Sequence, residues 1–146
     1  MSSWTHETRC HGTPDDVLTL LTDAEAIARW SPVPFELVGS ETRRLRAGDR
    51  VRVRGGLGGH GVEFVVQVGE ACDGRLSLRA SGPIDIDVEY VARPADEGSH
   101  VRAQIAVAGN GLRGRLLASA TDALLAAGAL RASMARIARE LEPAFG

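Results

Sequence analysis

From Leu112 to Leu141 the chain runs without a proline, and its only glycines there are Gly114 and Gly128. One line of residues reads Leu116, Ala120, Ala123, Ala127, Leu130, Met134, Ile137, Leu141. Alternating steps of four and three place it on one stripe of a helix. Leu117, Leu124 and Ala138 widen the stripe. Arg115, Asp122, Arg131, Arg136, Arg139 and Glu140 take the opposite face. A single helix over this stretch would be about 45 Å long. One neighbouring helix cannot cover such a length in a chain of 146 residues. It needs a broad apolar surface, and the rest of the sequence offers short alternating strands.

Those strands follow in order. Trp4 to Cys10 alternates, with Trp4, His6 and Thr8 on one side. Thr13 then caps a helix with Pro14 at its first position and Asp15 and Asp16 at the positive end of its dipole. Asp23 starts a second short helix that Ser31-Pro32-Val33-Pro34 ends. Phe35–Val38 is a short edge segment. Arg50–Arg54 alternates Arg with Val51 and Val53. The glycine-rich run Gly55–Gly61, with His60 inside it, connects a hairpin and is flexible enough for a lid. Val62, Phe64, Val66 and Val68 share one face of the next strand. Leu76, Leu78 and Ala80 share one face of the strand after the Asp73-Gly74 turn. Ile84, Ile86, Val88 and Tyr90 oppose Asp85, Asp87 and Glu89. Val101, Ala103, Ile105 and Val107 form the last inward row. Period-two alternation gives each strand one wet and one buried face. The fold class is therefore α+β: a curved antiparallel sheet of about seven strands around the C-terminal helix, with two short helices after the first strand. Residues 1–146 are expected to form a single domain.

Composition excludes several functions. Formal net charge is −2, which gives no basic footprint for nucleic acid. All the basic residues are Arg, so no catalytic lysine is available. Cys10 and Cys72 make neither a metal motif nor a disulfide framework. No signal-type leader or membrane-length apolar run is present, so a cytoplasmic protein without membrane insertion is expected. No metal spacing, nucleotide motif or cofactor fingerprint occurs, and no cofactor is expected.

Thr13-Pro14-Asp15-Asp16-Val17-Leu18-Thr19-Leu20-Leu21-Thr22-Asp23, followed by Ile27-Ala28-Arg29-Trp30-Ser31-Pro32, resembles the START-like superfamily (SRPBCC). These are the polyketide cyclase/dehydrase and lipid-transport proteins with the Bet v 1-like helix-grip fold. The order of elements matches to the end of the chain. The resemblance implies a cavity between sheet and C-terminal helix and a hydrophobic or amphipathic, lipid- or polyketide-like ligand. A carrier or binding role leads. A cyclase/dehydrase-type enzyme and a cochaperone-like interaction module are the alternatives, and a homodimer is left open. By analogy Trp30 and Phe35 flank the mouth of the cavity. The inward rows supply Phe64, Val66, Leu78, Ile86, Val88 and Ile105 as its wall, and Leu117, Leu124 and Gly128 the helix side. Leu and Val could instead collapse this space into a solid core; few large aromatics and many Ala and Gly favour an open one. If there is chemistry, His6 and Tyr90 are the inward polar groups to carry it. Either could equally be a satisfied core residue. Arg50, Arg52 and Arg54, and the carboxylates opposite Tyr90, are read as a solvated face of weak ion pairs.

Overall fold

A computed structural model describes residues 2–32, 35–38, 44–57 and 60–142. The order of elements is β1 (Ser2–Cys10), α1 (Pro14–Leu21), α2 (Ala24–Trp30), β2 (Phe35–Leu37), β3 (Arg50–Leu57), β4 (His60–Cys72), β5 (Arg75–Ser81), β6 (Ile84–Ala95), β7 (Gly98–Gly109), α3 (Gly111–Ala126) and α4 (Ala129–Glu140). The strands form one seven-stranded antiparallel sheet in the order β1-β7-β6-β5-β4-β3-β2. Only β1 leaves chain order, pairing with β7 and so joining the N-terminus to the last strand.

Local chemistry explains the elements. Thr13 and Asp16 form a reciprocal capping box at α1, with Pro14 just inside. The Asp23 side chain accepts the Glu25 N–H and starts α2. A bulge between Val68 and Ala71 interrupts β4. The Ser77 hydroxyl accepts the Glu70 N–H there, so the freed donor is not stranded. Alternation holds along the long strands: Val53, Val62, Phe64, Val68, Ile86, Tyr90, Ala103 and Ile105 are buried. Arg52 and Arg54 meet Glu63 on the outer face, and Arg79 meets Asp85 and Asp87. These pairs are half-exposed and contribute little. The glycine-rich run is mainly strand rather than loop: Gly55, Gly56 and Leu57 pair with Val62, Gly61 and His60. The rest of the expected lid, residues 58 and 59, lies outside the described residues.

The C-terminal helical stretch is present, but it is two helices. Gly128 adopts φ 100°, in the left-handed region, and breaks the rod between α3 and α4. The apolar stripe changes phase at the break. α4 buries Leu130, Met134 and Ile137 as the spacing predicts. α3 instead buries Gly114, Leu117, Thr121 and Leu125. Leu116 is 65% exposed, and Ala123 and Ala127 face solvent. The stripe through Leu116 assumed unbroken helical phase. Thr121 fits inside because its hydroxyl donates to the Leu117 carbonyl. Where α3 starts, Gly109 and Gly114 bring two backbones together, and a Cβ on Gly109 would strike the Gly114 carbonyl.

Candidate ligand cavity

An apolar cavity of about 100 Å³ opens off the concave side of the sheet. Its sheet wall comes from the inward rows of five strands. Val51, Val53 and Gly55 are on β3, Phe64 and Val66 on β4, Leu78 and Ala80 on β5. Ile86, Val88 and Tyr90 are on β6, and Ile105 is on β7. The opposite wall is Ile27 and Trp30 of α2, then Ser31, Pro32 and Leu45. Val51, Val66, Leu78, Ala80 and Val88 point inward yet keep partial exposure, so side chains do not fill the space.

α2 is positioned by α4. The Arg29 guanidinium pairs with Glu140 at 2.9 Å, and this contact holds the Glu140 carboxyl below its ordinary pKa. Arg136 donates from Nη2 to the Trp30 and Ser31 carbonyls at 3.5 and 3.0 Å. It thereby satisfies carbonyls that the last turn of α2 leaves free. Leu45 is fixed from the other side, since its N–H donates to the Thr22 carbonyl and Arg44 donates to Thr19 and Thr22.

The structure brings Trp30, Phe64, Val66, Leu78, Ile86, Val88, Tyr90 and Ile105 together around this space. It separates the others. Leu117, Leu124 and Gly128 are not in the lining: Leu117 packs into the core, Leu124 is half-buried, and Gly128 is the helix break with open space beside it. The cavity lies under α2, and no residue of α3 or α4 is in its lining. His6 is on β1, in register with Ala103, which in turn pairs with Tyr90. Two strand spacings, about 10 Å, separate the two residues, and His6 does not reach the cavity. Phe35 begins β2, and its side chain lies outside the described residues. Sequence reasoning passed over Ile27, Ser31, Pro32, Leu45, Val51, Val53, Gly55 and Ala80. Val51, Val53 and Ala80 were readable as partners of the wet rows beside them. Leu45 stands alone in a polar stretch and gave no signal.

Tyr90 is the site's distinctive residue. It is fully buried, and burial pushes its phenol pKa up, so the hydroxyl stays protonated. Its ring meets Trp30 edge-on with centroids 5.4 Å apart.

A curved antiparallel sheet gripping a helical layer over an apolar cavity defines the START-like helix-grip class of fold. Residues 1–142 match the polyketide cyclase/dehydrase and lipid-transport family, and the chain belongs to that family. No curated protein matches it. Among solved structures, a Chromobacterium violaceum protein is similar at 16% identity, with 97% of each chain covered and a TM-score of 0.70. A START superfamily protein from Mycobacterium smegmatis is 11% identical over 96% of this chain and 99% of its own, with a TM-score of 0.67. A protein in the dynemicin biosynthetic locus is 19% identical over 97% of this chain but 47% of its own, with a TM-score of 0.59. At these identities the likeness concerns the fold.

Proposed function

We propose that the protein is a carrier or binding protein for a hydrophobic or amphipathic small molecule held between the sheet and α2. The observation that carries this reading is the cavity itself: an apolar wall left open in an otherwise close-packed interior. Family membership supports a ligand-binding role. Size constrains the ligand. An engineered cavity of about 150 Å³ admits benzene, whereas typical ligand pockets are about 300–1,000 Å³. At about 100 Å³ this state accepts at most a small apolar group. A lipid- or polyketide-sized ligand requires α2 to move outward from the sheet.

Native mass spectrometry of the purified protein tests the reading, together with titration by a fluorescent apolar probe. A retained small molecule, or probe binding that Ala80→Leu abolishes by filling the cavity, is the expected result. No bound species and no probe binding would sink it. A second reading, a cyclase/dehydrase-type enzyme, is favoured by one feature: the protonated Tyr90 phenol in a wall that excludes water. It requires product formation that Tyr90→Phe slows by about 10²-fold or more.

A further inference from the structure

Four buried side-chain atoms make no well-formed hydrogen bond among the described residues: Trp30 Nε1, Tyr90 Oη, Ser133 Oγ and Arg136 Nε. Buried polar groups are ordinarily paired, and leaving one unpaired is costly. These four form one group. The Trp30 and Tyr90 rings are in edge contact. The Ser133 hydroxyl lies within hydrogen-bonding reach of the Tyr90 phenol, the Arg136 charge acts on the same phenol, and the two residues lie three apart on α4, one above the other. Arg136 also holds the Trp30 carbonyl. Trp30 and Tyr90 line the cavity, and Ser133 and Arg136 are outside its lining.

Its chemistry is one-sided. Trp Nε1 and Arg Nε can only donate, and each hydroxyl can donate or accept, so a contact between Tyr90 and Ser133 still leaves one hydroxyl donor over. A tyrosine phenol is protonated at neutral pH, and burial raises its pKa further. The Arg136 guanidinium is hydrogen-bonded to two backbone carbonyls, and among the described residues no carboxylate pairs with it. The complement to these donors and to a cation with no carboxylate partner among the described residues is an anionic acceptor with several lone pairs. A carboxylate has about four such sites.

We propose that the cluster of Trp30, Tyr90, Ser133 and Arg136 seats the carboxylate of a small apolar acid whose body lies against the sheet wall. This rests on reading the cavity as the ligand site, and it adds the ligand's chemical class. To admit the carboxylate, α2 shifts and Arg136 exchanges a helix carbonyl for it. Ligand entry and movement of α2 are then one event.

Calorimetric titration at pH 7 and low salt tests this, with benzoate and hexanoate set against benzyl alcohol and hexan-1-ol. The acids should bind at least tenfold tighter than the alcohols. Ser133→Ala, outside the cavity lining, should lower that preference and leave the alcohols within about twofold, and Arg136→Gln and Tyr90→Phe should each remove most of it. Arg136 also supports α2, so Ser133→Ala and Tyr90→Phe provide variants that keep the helix contact. Each removes one hydroxyl and leaves the Arg136 contacts to α2 in place, so a change in acid preference is read apart from the support of that helix. Alcohols binding as well as the acids would overturn the carboxylate seat and leave the carrier reading standing. An acid preference kept in full by both hydroxyl variants would also overturn it, by showing that those hydroxyls do not meet the carboxylate. Failure of all four compounds, with no probe binding either, would remove both readings.

Discussion

α3 and α4 come from one sequence stretch and do different work. α4 packs on β1 and α2, buries Leu130, Met134 and Ile137, and holds α2 through Arg136 and Glu140. α3 packs on β7 and β6 and leaves Leu112 80% and Leu116 65% exposed. Asn110 makes no side-chain cap at its start. The difference traces to the break at Gly128. A continuous rod would force one phase on both halves. Two helices let α4 orient for α2 and the polar cluster, while α3 settles independently against the last strands.

The largest expected effect comes from cutting into α4. Met134 is fully buried, so Met134→Ala should destabilise by about 2–5 kcal/mol through lost transfer energy and a cavity. Denaturant unfolding measures it. A loss below about 1 kcal/mol would mean that α4 is no better anchored than α3.

Next is the break itself. Gly128→Ala leaves space for the Cβ, since nothing lies near it, but the left-handed backbone costs an L-residue about 1–2 kcal/mol. A stability gain would show that the two helices prefer to fuse.

The third prediction concerns pH. Tyr90 has a raised pKa in the folded state, so its neutral form contributes stability below the unfolded value of about 10. That contribution fades as pH rises beyond it, because the unfolded chain ionises where the fold resists. Thermal melts from pH 8 to 11 should show alkaline loss of Tm in the parent and a shallower loss in Tyr90→Phe. Identical slopes would place the phenol in contact with water.

The smallest effect belongs to α3. Leu116→Ala should change stability by less than about 0.5 kcal/mol, although the same substitution at Leu117 removes a buried side chain. Equal costs at the two positions would show α3 rotated from its described phase.

Sequence alone determined most of the elements and the sheet faces, because alternation is local and each inward row has to find the same core. The capping residues Thr13 and Asp23 marked their helices for the same reason. The α4 stripe was legible, since Leu130, Met134 and Ile137 are the only large apolar residues of that helix and recur at helical spacing. The α3 phase was not: Leu116 and Leu117, like Leu124 and Leu125, are adjacent pairs that satisfy two rotations, and the intervening alanines choose neither. Tertiary structure decided that phase. It also put the cavity under α2, brought Leu45 from a polar stretch to its rim, and left His6 two strands away from Tyr90. Above all it gathered Trp30, Tyr90, Ser133 and Arg136 from three elements. A periodic pattern tells which side of an element turns inward. Which inward sides meet, and what they leave unpaired, depends on how the elements cross, and no local pattern records that.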